Sequence, residues 1–238
     1  CSEERPPVVV YVSADQQIAD PILKEFTQKT GIEVAALFDT EATKTTGLAN
    51  RLRREKNRPK ADVFWSSEPF VINQLADQGV LKSASTPILD GHPPMWRDGT
   101  GRWFGFSGRA RVIVYDPEKL ALEDRPLTWM DLLNDRYRDR LVMADPRFGT
   151  TRGHMGAMKA YWDISAMPGF YEAWLDGLAE NGIRMLPGGN AAVVDSVARG
   201  ESLVGLTDTD DVWSARRRGL SVEAVYARHD LEESSSRD

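Results

Sequence analysis

At 238 residues, 41% of them hydrophobic, the chain is long enough to bury one large core or two smaller ones. A formal net charge of −6 excludes the strongly basic surface that a nucleic-acid binder needs to neutralise phosphates. No apolar run approaches the roughly 18 residues that cross a bilayer, and because Cys1 is the only cysteine, neither an intrachain disulfide nor a cysteine-rich metal site can form.

Cys1 followed by the polar stretch Ser2 to Pro7 reads as the residue of a lipoprotein signal peptide cut before a lipid-modified cysteine, which makes residues 1–7 a tether to the membrane. Val8 to Val12 is continuously apolar and β-branched, the pattern of a strand buried in a parallel sheet. After Ser13 to Gln17 a helix follows with Ile18, Ile22, Leu23 and Phe26 on one side, ending at Gly31, and Ile32 to Phe38 is the next strand. This βαβ opening predicts an α/β class. A threonine-rich loop, Asp39 to Thr46, leads to a basic helix, Leu48 to Arg58, whose charges read as a solvated face. Ala61 to Trp65 is a third strand, and Pro69 suits the first turn of the helix that ends before Gly79.

Leu81 to Gly101 is irregular, and Phe104 to Tyr115 reads as one long extended segment able to cross between lobes. Beyond it come a helix at Trp129 to Leu133 capped by Thr128, a strand at Leu141 to Ala144, and a loop from Asp145 to His154 that opens into a helix from about Met155 to Trp162. The helix Phe170 to Asn181 turns Trp174, Leu175 and Leu178 inward, and is followed by a short strand, Arg184 to Leu186, and a helix, Ala191 to Arg199. The expected return to the first lobe is Leu203 to Thr207, with a last strand at Glu223 to Tyr226 and a disordered tail over 231–238. The expected division is therefore 8–106 plus 204–230 as the first lobe and 107–203 as the second.

Leu203 to Thr207 stops at Asp208, Asp210 and Asp211, three acids within four residues at the mouth of a sheet, where open α/β folds form ligand crevices. Oxygen ligands at this density suit a hard cation such as iron(III), calcium or manganese. The same residues also serve to cap and complement the dipole of the helix from Val212 to Arg218, and the sequence leaves both readings open. Phe148-Gly149-Thr150-Thr151 before a helix makes an anion cradle from backbone N–H groups and hydroxyls, and Asn190 adds a glycine-flanked amide. Arg109 and Arg111, two apart on a strand, share a face and call for carboxylate partners or an anionic ligand. His154 reads as a surface or capping histidine, His92 as a loop residue, and Tyr11 and Tyr115 as core. No nucleophile elbow, phosphate-binding Walker loop or zinc-protease motif is present. Asp208-Thr209-Asp210 shares the paired aspartates of haloacid-dehalogenase-type phosphatases without their downstream lysine.

Taken together, Val10 to Ala14, Thr30 to Val34, Ala61 to Trp65, Ser107 to Tyr115, Ala144 to Thr151, Gly189-Asn190 and Val197 to Glu201 resemble the iron(III)-type family of bacterial ABC-importer solute-binding proteins. The resemblance implies two α/β lobes of the type 2 periplasmic-binding-protein fold, crossing hinge strands, an interlobe cleft and delivery of cargo to a permease. By that resemblance the family's ferric tyrosine pair falls on Asp210 and Asp211, its first-loop histidine at or near Asp15, its glutamate at Ser67 or Glu68, and its synergistic anion on Gly149, Thr150, Thr151 and Asn190. The expectation is a lipid-anchored, non-enzymatic receptor in the periplasm or on the outer face of the bacterial membrane. It would hold a metal ion through Asp208, Asp210, Asp211, Glu68 and Asp15, and an anion through the cradle with Arg109. The rival expectations are a receptor for an oxyanion or a zwitterion such as a phosphonate, and a metal-dependent phosphatase. Members of the family usually continue beyond a strand like Glu223 to Tyr226.

Overall fold

A computed structural model describes residues 6–14, 16–39, 45–165 and 167–228. Cys1, Asp15, the loop 40–44 and the tail 231–238 lie outside the described residues. The chain forms two compact units, Cys1–Ser107 and Gly108–Asp238. Among the described residues no helix is long and apolar enough to cross a membrane.

In the first unit β1 (Val8–Val12), α1 (Gln16–Thr30), β2 (Val34–Phe38), α2 (Thr46–Glu55), β3 (Val63–Trp65) and α3 (Pro69–Asp77) follow in order, with a short α4 (Pro87–Asp90) after them. The sheet is three-stranded and parallel, ordered β2-β1-β3, so the β-branched run of β1 takes the centre, where both of its edges are paired. Val10 and Val12 pack with Ala19 of α1, while Leu75 and Val71 of α3 pack with Ala49 of α2. Pro69 starts α3, where its missing N–H leaves no bond unmade. Tyr11 is core, as expected, and its hydroxyl donates to Glu55 at 2.9 Å while Arg51 lies over its ring. The basic face of α2 is thus partly engaged rather than wholly solvated.

The second unit is built on a five-stranded sheet of order β6-β5-β7-β4-β8, formed by β4 (Arg111–Tyr115), β5 (Leu141–Ala144), β6 (Arg184–Leu186), β7 (Val204–Asp208) and β8 (Glu223–Val225). Its helices are α5 (Gly149–Ile164), α6 (Phe170–Glu180), α7 (Gly189–Arg199) and α8 (Thr209–Arg217). Alternation along β4 divides the core: Ile113 and Tyr115 join Trp129, Trp162, Trp174 and Leu206 on one face, and Val112 and Val114 join Val193, Val197 and Val212 on the other. Each aliphatic side chain so buried contributes about 1.5–3 kcal/mol.

The expected division of the chain needs correcting here. β7 does not return to the first lobe; it pairs in parallel with β5 and antiparallel with β4, so 204–225 completes the second unit's sheet. Gly205 makes this possible, since a Cβ there would stand 2.5 Å from Val193 Cγ1 and 2.9 Å from Val142 Cγ1. Of the long extended segment Arg111–Tyr115 forms the strand, and Phe104 makes an isolated antiparallel bridge to Arg97. Met130–Leu133 is a 3-10 turn rather than an α-helix, with Thr128 Oγ1 accepting from the Asp131 N–H as anticipated.

Candidate functional site

β7 delivers Asp208 at its last position, and α8 begins at the next residue, so a strand end and a helix start meet at one carboxylate. Two more helices bring first-turn side chains, Thr150 and Asn190, to the same carboxylate. α5 starts at Gly149, six residues before the start read from the sequence, and α7 starts at Gly189. The Gly149–Thr151 segment is therefore a first helical turn, whose N–H groups have no partner within the helix. Gly149 enters that turn at φ +54°, a conformation glycine adopts without strain.

Asp208 is 1% exposed. Its Oδ1 accepts from Arg111 Nη1 at 2.9 Å, and its Oδ2 accepts from Thr150 Oγ1 at 2.6 Å and from Asn190 Nδ2 at 2.8 Å, with Arg109 Nε 3.6 Å away. Asn190 turns its other face to the same group, its Oδ1 accepting from Arg111 Nη1 at 3.1 Å and from Thr151 Oγ1 at 3.3 Å. Its backbone carbonyl accepts from Thr207 Oγ1 at 3.2 Å, which ties α7 to β7. Arg109 Nη1 donates to Asp210 Oδ2 at 2.8 Å, leaving Asp210 Oδ1 buried and without a hydrogen bond.

The sequence separates these residues into a metal set, Asp208, Asp210 and Asp211, and an anion set, Gly149, Thr150, Thr151, Asn190 and Arg109. The structure joins most of them in one network centred on Asp208. Arg111, outside both sets, proves to be the principal counter-ion, and its spacing of two from Arg109 was the signal that pointed to it. Asp208, Asp210 and Asp211 each offer an oxygen, all within 4.8 Å of one another, the one such acidic group among the described residues. They are not equivalent. Both oxygens of Asp208 already accept hydrogen bonds, whereas Asp210 keeps one oxygen without any, so a hard cation meets less competition at Asp210 than at Asp208.

The two arginines respond differently to this setting. Burial lowers the Arg111 pKa from its ordinary value, outweighing the attraction of Asp208. For Arg109 burial also works downward, but the charges of Asp208 and Asp210 carry its pKa above the ordinary value.

Glu68 belongs to the first unit, where it is buried and precedes α3, and Asp15 lies outside the described residues. His154 is a correction: it is buried on α5 with its ring centroid 4.5 Å from that of Trp129, because α5 starts early enough to turn it inward. His92 Nε2 lies 2.6 Å from the Gly105 carbonyl oxygen and serves to hold its loop.

Residues 58–183 match the model of a bacterial extracellular solute-binding protein family, more than half of the chain. The chain belongs to that family. Among the relatives of this solute-binding protein, the major ferric iron-binding protein of Neisseria meningitidis is 25% identical over 226 residues, covering 93% of this chain and 64% of the relative. Iron uptake protein A1 of Synechocystis is 24% identical over 207 residues, covering 87% of this chain and 55% of the relative. The chain thus spans between about half and two-thirds of the length of these relatives. Iron-bound HitA from Pseudomonas aeruginosa superposes with a TM-score of 0.78 at 26% identity, over 93% of this chain and 70% of that one. The fold is accordingly that of the type 2 periplasmic binding proteins.

Proposed function

We propose that this chain acts as the solute receptor of a bacterial ABC importer, binding ferric iron with a small anion at the C-terminal end of β7. The observation that carries the reading is the set of three carboxylates gathered at Asp208 to Asp211 beside a helix N-terminus, in a chain several of whose relatives are named for ferric iron. Carboxylate oxygens are hard donors, suited to iron(III) as cargo. The first-turn N–H groups of α5 supply donors for a companion anion.

In this reading the members of the network have distinct tasks. Asp210 and Asp211 present oxygens to the ion. Asp208, sequestered by Arg111, Thr150 and Asn190, holds the ends of β4, α5 and α7 in register beneath them. Arg109 is the mobile partner: its guanidinium neutralises Asp210 and lies near Asp208, and an arriving cation takes over that role and frees Arg109 for the anion. Function is then capture and hand-over to a permease on the periplasmic side of the inner membrane, with no bond of the cargo made or broken.

The test is titration of chelator-stripped protein with iron(III) supplied as its nitrilotriacetate complex, with phosphate or carbonate present. Calorimetry and elemental analysis should give one iron per chain, reduced to background in a D210A/D211A variant that retains its circular dichroism. Absence of iron under both anions, or unchanged iron content in the variant, overturns the assignment.

A further inference from the structure

The buried face of Arg111 points to a second site. Its Nη1 is committed to Asp208 and Asn190, yet Nε and Nη2 are both buried without a hydrogen-bond partner. These two groups form one edge of the planar guanidinium, spaced to meet the two oxygens of a carboxylate. Buried donors are ordinarily satisfied, and an unanswered cationic edge is costly, so this one asks for an acceptor.

Arg111 also lines a cavity of about 360 Å³ in the second unit, together with Trp129, His154, Ala157, Met158 and Tyr161. That volume lies in the range of small-molecule sites, about 300–1,000 Å³, and the walls are of the kind such sites use: aromatic rings, a polarisable thioether and one cation. The parity of β4 explains the placement, since Arg111 shares a face with Ile113 and Tyr115 and emerges on the α5 side of the sheet, while its Nη1 reaches Asn190 at the start of α7.

We propose that this cavity binds a small organic monocarboxylate with an apolar, preferably aromatic, body, its carboxylate paired with the Nε–Nη2 edge of Arg111 and its body against Trp129, Met158 and Tyr161. A single guanidinium edge answers one carboxylate. A phosphate dianion carries more charge and more acceptor oxygens than one guanidinium edge answers, which burial beside Trp129, Ala157 and Met158 penalises. Because the opposite side of the same guanidinium holds Asp208, the two sites meet at one side chain, but the cavity does not depend on the cargo reading.

Benzoate is the probe, with benzyl alcohol as its uncharged counterpart and inorganic phosphate as the competitor, each titrated calorimetrically into the iron-free chain. Benzoate is expected to bind with one-to-one stoichiometry, at least about tenfold more tightly than benzyl alcohol, as a charge-assisted pair with arginine requires. Phosphate should leave benzoate binding unchanged. Ala157 is exposed on α5, so Ala157→Phe should fold and, by filling the mouth of the cavity, weaken benzoate at least about tenfold while leaving iron binding intact. Equal binding of benzoate and benzyl alcohol, no heat with benzoate at millimolar concentration, displacement by phosphate, or full benzoate affinity in A157F would each overturn the proposal.

Discussion

Replacing Asp208 by alanine tests whether this carboxylate is a buried counter-ion. The side chain is 1% exposed and receives hydrogen bonds from Arg111, Thr150 and Asn190 at 2.9, 2.6 and 2.8 Å. Its removal strands Arg111, whose side chain is 13% exposed and has two donors already unanswered. Breaking a buried pair from one side costs about 3–5 kcal/mol, because the surviving charge is left without compensation. Set against a total stability of about 5–15 kcal/mol, that is a large loss, corresponding to a fall in melting temperature of roughly 10–20 °C for a unit of this size. Urea unfolding followed by far-UV circular dichroism measures it directly. The double variant D208L/R111M removes both charges in favour of apolar side chains, and is expected to recover at least half of the loss. A cost below about 1 kcal/mol for D208A, or no recovery in the double variant, would refute the account of Asp208 as the anchor of Arg111.

Three further outcomes follow from the geometry. Gly205→Ala places a methyl group against Val193 and Val142 at 2.5 and 2.9 Å, and should lower stability by about 1–3 kcal/mol in the same urea assay. Arg109→Gln removes the guanidinium paired with Asp210; under the proposed function, iron affinity measured without added anion should rise about tenfold, in line with a charged hydrogen bond, and its enhancement by phosphate should shrink. The Asp145 carboxyl is lowered from 3.8 to about 2, chiefly by the Arg147 side chain. Since its native pKa lies below its unfolded one, the pairing favours the fold at neutral pH and is lost as pH falls through that interval; an NMR titration of the carboxyl carbon should show the low midpoint, and Arg147→Gln should return it toward 3.8.

Much of this protein could be read in one dimension. The continuous β-branched run at Val8 to Val12, the proline opening α3 and the apolar stretch that ends at Asp208 are local patterns, and each formed the expected element because its cause lies within a few residues. Helix starts were less legible. Gly149 and Gly189 looked like loop residues, yet each begins a helix, since positive-φ glycines let the chain turn directly into the first coil without a capping side chain.

Partner choice was the part that periodicity does not encode. An apolar strand such as Val204 to Thr207 satisfies any sheet with a vacant edge, and its place between β4 and β5 was decided by packing at Gly205, where valines from two strands and a helix converge. The site shows the same division. Its aspartates, threonines, asparagine and arginines were identifiable from residue type and from their position at strand ends and helix starts. Their pairing joins Asp208 to Arg111 across 97 residues, to Thr150 across 58 and to Asn190 across 18. The chain's local chemistry therefore determined which groups are offered, and the folded sheet alone decided which charge answers which, because electrostatic pairing depends on distance in space rather than along the sequence.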